Sequence, residues 1–206
     1  MKCIRVLFLV SMLSVSAAML GQGGSTPAPA SSAPQAQTAP APPSSIADVV
    51  DQQVSSYERN VVGIAEAMPA DKYDFTPESL KIPGANYTGV RTFAQLIKHT
   101  ATANYRFWSI VSGEKMPDNI RGTNGPDELK TKDDILKFLK DSFAMGHRAA
   151  KSLTTENALQ QVPFFRGTSS RLYIAIFAVI HAADEYGQMV EYVRMNGIVP
   201  PASQSR

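Results

Sequence analysis

Apolar residues recur every three or four positions in four stretches of the chain, which is the period of an amphipathic helix. The stretches cover about residues 46–68, 92–112, 131–153 and 169–196. No stretch shows the alternation of apolar and polar residues that is typical of a half-buried strand, and no internal repeat is visible. Four helices of this length in one domain predict an all-α fold, a four-helix bundle.

The ends of these stretches carry residues that start and stop helices. Thr92 and Gln95 have the spacing of a capping box, and Thr131 precedes two acids that suit the first turn of a helix. Gly197 suits a left-handed C-cap after the fourth stretch. All the connections are long, so we expect at least one of them to cross over the bundle and the loops at one end to roof a pocket.

The first 45 residues differ in composition from the rest of the chain. Lys2 and Arg5 precede the apolar run VLFLVSMLSV and the small residues SAA, a pattern that predicts a signal peptide over residues 1–18. Residues 19–45, rich in Pro, Ala and Ser, predict a disordered linker, and residues 46–206 the bundle domain. We therefore expect an exported protein, periplasmic or secreted, with no stable membrane insertion after cleavage. An uncleaved membrane anchor is the alternative for residues 1–18.

Charge and cysteine content exclude some kinds of chemistry. Without Lys2 and Arg5 the chain has 18 basic and 18 acidic residues, so its net charge is about zero and no nucleic-acid partner is expected. Cys3 is the only cysteine and lies inside the predicted signal peptide. The mature domain would therefore have no thiolate nucleophile and no cysteine ligand for a metal.

Polar side chains interrupt the apolar faces of the second and fourth predicted helices. His181, Glu185 and Gln188 lie on the same face as the apolar residues of the fourth helix, and His99 lies on the apolar face of the second. Residues four apart are neighbours on a helix, so His181 and Glu185 can converge on one ion. A bundle that brings the two faces together would add His99. Two imidazoles and one carboxylate form a catalytic ligand set for a divalent metal, and Gln188 could orient it.

Structural roles are the alternative for these residues. A histidine on an apolar face is more often a hydrogen-bonded core residue than a ligand, and Glu185 could pair with a histidine or with Arg106. His147 lies at the margin of the apolar face of the third helix, where most histidines face the solvent. Residue spacing by itself leaves both interpretations open.

Three segments of the chain resemble the DinB/YfiT-like superfamily of helical bundles. They are MPADKYDFTP after the first helix, TFAQLIKHTATANYRFW in the second, and HAADEYGQMVEYVRMNGIVPPAS at the end of the fourth. The resemblance implies an up-up-down-down type of four-helix bundle. It also implies a divalent metal held by one ligand in the second helix and two in the fourth, which by position are His99, His181 and Glu185. The family usually has a third histidine where this chain has Glu185.

The resemblance implies a function in outline. A His/His/Glu set suits Zn, Ni, Mn or Fe, and a metal-dependent hydrolase or transferase acting on an undefined small-molecule substrate is the expected activity. Some relatives are transferases that use low-molecular-weight thiols, but an exported protein would meet few of these thiols. Relatives often form dimers, which suggests a homodimer here. The competing hypothesis is a non-catalytic bundle, structural or ligand-binding, with a buried His/Glu cluster.

Overall fold

A computed structural model describes residues 42–204, and the predicted signal peptide and most of the predicted linker lie outside the described residues. Four long helices account for most of the described part. They are α1 (Ile46–Ala67), α2 (Phe93–Ser112), α3 (Lys132–Lys151) and α4 (Arg171–Met195). The predicted all-α four-helix bundle is confirmed. Within the described residues, no helix is both long enough and apolar enough to cross a membrane.

The predicted helix ends are confirmed by hydrogen bonds at the caps. The hydroxyl of Thr92 accepts from the backbone of Gln95, whose side chain accepts from the backbone of Thr92 in return. Thr131 caps α3 through the backbone of Asp134. Gly197 has a φ of +74° just after α4, in the left-handed region that a C-terminal stop requires.

The helices form a ring in which α1 and α2 each pack against α3 and α4. Helices α1 and α3 are antiparallel, because Lys132 at the start of α3 donates to the carbonyls of Glu66 and Met68 at the end of α1. Helices α2 and α4 are also antiparallel. The ring of Phe107, late in α2, lies 5.1 Å from that of Phe177, early in α4.

Helices α2 and α3, by contrast, run parallel. Asn104 of α2 donates to Ser142 of α3, and Glu114, just after α2, accepts two hydrogen bonds from Arg148 near the end of α3. The order of directions along the chain is therefore up-down-down-up instead of the up-up-down-down order implied by the resemblance. Because α2 and α3 are parallel, the connection between them has to return along the length of the bundle.

The crossover connection is the segment 113–131, called the crossover loop below. It runs back along α2, with Gly125 packed against Lys98 and Thr102. Arg91 donates to Asn124 of this loop. At least one connection was expected to cross over, and the structure shows that this one does. It passes directly over the face of α2 that carries His99.

A β-hairpin precedes α4, although no strand was predicted from the sequence. Its strands are β1 (Gln161–Phe164) and β2 (Gly167–Ser170), which pair antiparallel. Each strand has only four residues, which is too short for an alternating pattern to stand out in the sequence. The hairpin tip, Phe165 and Arg166, lies at the end of the bundle where α4 begins, and Phe165 packs against both α2 and α4.

Candidate metal centre

Three polar side chains from two helices meet inside the bundle. His99 of α2 places Nε2 3.5 Å from Oε1 of Glu185, and His181 of α4 places its own Nε2 3.9 Å from the same oxygen. One ligand atom from each side chain lies within 4.8 Å of the other two. The antiparallel packing of α2 and α4 thus brings together the three residues that the sequence analysis selected. They are called the His/His/Glu cluster below.

The crossover loop fixes the orientation of His99. Its Nδ1 lies 2.7 Å from the backbone carbonyl of Thr123, which can only accept a hydrogen bond. Nδ1 therefore carries the ring proton, and Nε2 presents a lone pair toward Glu185. A carbonyl partner on the distal nitrogen is the usual arrangement for a histidine that ligates a metal. Thr123 could not be predicted from the sequence, because a backbone carbonyl leaves no mark in the side-chain pattern.

Burial sets the protonation of the cluster. It raises the pKa of Glu185 to about 7, with the nearby positive charge of Arg91 acting in the opposite direction. Burial also lowers the pKa of His99 and of His181, and positive charge on His99 lowers that of His181 further. Both imidazoles are therefore held in the neutral form that a metal ligand must have.

Two arginines stand beside the cluster, and neither was selected as a site residue from the sequence. Arg91, just before α2, donates to Asn124, and Arg106 of α2 donates to the carbonyl of Gly122. Both contacts attach the crossover loop to α2. The only sequence signal for Arg106 was its position seven residues after His99 on the same helix, which equally suited an ion pair with Glu185.

The cluster fits a divalent cation better than it fits a hydrogen-bonded network. Separations of 3.5 and 3.9 Å exceed the range of about 2.7–3.2 Å for N–H···O bonds. They lie close to the distance of about 3.4 Å between two ligand atoms in tetrahedral zinc coordination. Oε2 of Glu185 is buried and has no hydrogen-bond partner among the described residues. Two histidines and one glutamate are also a known catalytic zinc set that leaves a position open.

The other two residues considered from the sequence lie elsewhere. Gln188 is exposed, and its amide donates to Asp184 one turn back on α4. Gln188 was predicted to orient the metal ligands, but its hydrogen bond goes to Asp184 and not to the cluster. The carbonyl of Thr123 orients His99 instead. Glu185 and Met189 are buried whereas Gln188 is exposed, so position 188 falls outside the face of α4 that the bundle covers.

His147 does not face the solvent as expected. Its Nδ1 lies 2.5 Å from Asp51 and its Nε2 3.0 Å from Glu58, so the ring bridges two carboxylates of α1. Burial lowers the pKa of His147, but the two hydrogen bonds outweigh it, and the net pKa lies above the ordinary value. With one carboxylate on each nitrogen, this arrangement is an ion-pair bridge between α1 and α3.

Comparison with known protein families agrees with the helical-bundle fold. The sequence model of the DinB superfamily matches residues 53–189. The match covers more than half of the chain and includes His99, His181 and Glu185. No curated protein matches the chain.

Proposed function

Because the chain belongs to the DinB superfamily, we propose that His99, His181 and Glu185 hold one divalent metal ion. The carrying observation is that the three ligand atoms converge, with two His–Glu separations, 3.5 and 3.9 Å, that are too long for hydrogen bonds and suited to a shared cation. The buried, unpartnered Oε2 of Glu185 supports the proposal, because a cation would compensate a carboxylate that the fold otherwise leaves unsatisfied. Zn, Ni, Mn and Fe(II) all accept such a ligand set.

The activity that we propose is metal-dependent hydrolysis or group transfer on a small molecule. When bound, the ion would polarise a substrate oxygen or lower the pKa of a water molecule to about 7. Burial lowers the pKa of His99 and so favours the neutral ring, and the carbonyl of Thr123 fixes its orientation, so that Nε2 stays directed at the site. Glu185 supplies negative charge from a buried position. Hydrolysis of small esters and amides, and consumption of added low-molecular-weight thiols, are the assays that separate the two reaction types.

Metal analysis of protein purified without a histidine tag tests the proposed site. We expect about one ion per chain and a melting temperature that falls when a chelator removes it. His181→Ala should weaken binding by more than about 100-fold, the upper end of the effect of losing an outer hydrogen-bond partner. His147→Ala is the matched control, since His147 lies in the separate bridge between α1 and α3 and its loss should leave the metal content unchanged.

The competing proposal is a non-catalytic bundle, in which a neutral, metal-free cluster shares a proton. Its support is the pKa of about 7 for Glu185, which allows the carboxyl group to stay protonated near neutral pH. If the purified protein contains no metal, and its melting temperature does not change with a chelator or with added Zn²⁺ or Mn²⁺, the metal site is rejected in favour of this alternative.

We also propose that the protein is exported after removal of residues 1–18. The support is the order of charged, apolar and small residues at the N-terminus of the sequence. N-terminal sequencing of protein recovered outside the cytoplasm should begin after Ala17 or Ala18. An intact Met1 would contradict this. The homodimer stays a prediction, and light scattering of the purified domain would test it.

A further inference from the structure

A small apolar cavity opens directly beside the His/His/Glu cluster. It has a volume of about 250 Å³ and shares His99 and His181 with the cluster. Three phenylalanines from three elements form its apolar wall, and they are called the aromatic pocket below: Phe107 of α2, Phe165 of the hairpin tip and Phe177 of α4. Arg106 adds a positive charge to the lining.

The rings of the pocket are set edge-to-face around one another. Phe107 meets Phe177 at 5.1 Å and 87°, and Phe165 meets Phe177 at 5.9 Å and 81°. The imidazole of His181 joins this set 5.6 Å from Phe107, at 67°. Edge-to-face contacts are the favoured geometry between aromatic rings. A further ring that entered the cavity would meet the same geometry on several sides and would lie next to a proposed metal ligand.

Phe165 stands at the tip of the hairpin. It is the first residue of the two-residue turn between β1 and β2, and its φ of +48° is the positive value that such a turn requires at this position. Turns of this kind favour Gly, Asn or Asp there, so the chain has a bulky aromatic side chain where a small residue would suit the backbone better. The side chain is 77% exposed, so burial in the core does not explain the choice of phenylalanine. A ligand in the pocket would cover this ring.

From these observations we infer that the aromatic pocket binds a single aromatic ring of a small molecule whose anionic or metal-binding oxygen group reaches the His/His/Glu cluster. A cavity of about 150 Å³ is enough to hold benzene, so this one takes one ring with a short substituent. The apolar wall favours the ring, and the charges of Arg106 and Arg91 favour an anionic oxygen group at the polar end. The inference rests on the proposed metal site for the oxygen group, whereas the ring position depends on the phenylalanines.

Three probes separate the two parts of the inference. They are 4-fluorobenzohydroxamate, which has a ring and a chelating group, acetohydroxamate, which has the chelating group without a ring, and 4-fluorobenzyl alcohol, which has a ring without a chelating group. Binding to the zinc-loaded protein is measured by calorimetry, and ring contact by ¹⁹F NMR. The variants are Phe165→Ala and, as a matched control at the neighbouring exposed position of the turn, Arg166→Ala.

We expect the aromatic hydroxamate to bind at least about tenfold more tightly than acetohydroxamate, because the ring is buried against the pocket. Phe165→Ala should weaken the aromatic hydroxamate by about three- to tenfold, the value of one or two aromatic contacts, and leave acetohydroxamate unchanged. Arg166→Ala should change neither. Equal affinities for the two hydroxamates, or an aromatic hydroxamate indifferent to Phe165→Ala, would overturn the pocket while leaving the metal site standing.

The opposite failure has a distinct signature. If the protein binds none of Zn, Ni, Mn and Fe(II), the proposed function fails and the pocket is judged with 4-fluorobenzyl alcohol. Loss of its ¹⁹F shift in Phe165→Ala but not in Arg166→Ala would support a ring-binding pocket that works without a metal. No shift in the wild-type protein at about 10 mM probe, the weak end of specific small-molecule affinity, would overturn the pocket as well.

Discussion

The backbone carbonyl of Thr123 lies 2.7 Å from Nδ1 of His99, so the crossover loop is the hydrogen-bond partner of a proposed metal ligand. The same loop is attached to α2 on either side of this contact, by Arg91 to Asn124 and by Arg106 to Gly122. The crossover loop is needed because α2 and α3 are parallel, and it therefore also holds a proposed metal ligand in position.

Loosening this loop should weaken metal binding without unfolding the protein. Asn124→Ala removes the acceptor of Arg91, and we expect zinc affinity to fall by about tenfold, as when an outer hydrogen-bond partner of a ligand is lost. The stability of the metal-free protein should change by less than about 1 kcal/mol. Competition with a zinc-sensitive dye measures the affinity. Asn119→Ala is the control in the same loop, because the side chain of Asn119 donates a hydrogen bond to Glu128, within the loop itself. Equal affinities in the two variants would show that His99 needs no support from Asn124.

Glu185 should be unfavourable for folding when no metal is bound. Glu185→Met keeps the length of the side chain and removes a buried oxygen that has no partner. We expect this variant to stabilise the metal-free protein by about 1–3 kcal/mol, the cost of an unsatisfied buried polar group, and to lose metal binding. Urea denaturation with a chelator present measures the change. Glu191→Met, at an exposed position of the same helix, should stay within about 0.5 kcal/mol of the wild type. A destabilised Glu185→Met variant would mean that the carboxyl group has a favourable partner in the metal-free state.

The bridge made by His147 should stabilise the fold most at acid pH. Its pKa is raised in the folded protein, so its contribution is fully present below the unfolded value of about 6.5 and is lost as the pH rises through the folded pKa. We expect His147→Asn to cost about 1–2 kcal/mol at pH 5.5 and clearly less at pH 9.

Thermal or urea unfolding of both proteins across this range measures the difference. Lys137→Gln removes an exposed pair with Asp141 on the same helix and serves as the control, with an effect under about 0.5 kcal/mol. A penalty for His147→Asn that grows with pH would contradict the ion-pair bridge.

Two glycines in helices should respond to alanine with opposite signs. A Cβ on Gly146 of α3 would lie 2.9 Å from Nε1 of the buried Trp108 of α2, so Gly146→Ala should destabilise by about 1–3 kcal/mol through overpacking. A Cβ on Gly187 of α4 would meet no atom within 4 Å. Gly187→Ala should therefore stabilise by about 0.5–1 kcal/mol through helix propensity alone. Unfolding free energies measure both. Equal effects would mean that α2 and α3 do not approach closely at Trp108.

The sequence by itself determined the helices and the polar residues that stand out on their faces. A period of three to four residues, capping boxes and a glycine stop act within one helix, so Thr92, Thr131 and Gly197 could be read directly. His181 and Glu185 were predicted to be neighbours for the same reason, since the geometry of a single helix places residues four apart side by side. The hairpin was not predicted, because strands of four residues are too short to show a clear alternation of apolar and polar residues.

Only the tertiary structure decided which faces meet, in which direction, and what covers them. Because α2 and α3 are parallel, the crossover loop passes over His99. This loop supplies the carbonyl of Thr123, and it is attached through Asn124 to Arg91 and through Gly122 to Arg106. These contacts are made by backbone atoms and by residues far apart in the chain, and helical periodicity says nothing about either. Gln188 is a second example of what helical periodicity does not decide. It shares a stripe with Glu185 on a helical wheel, yet packing against α2 buries only part of that stripe. Local sequence selects the candidate ligands, and long-range packing brings them together.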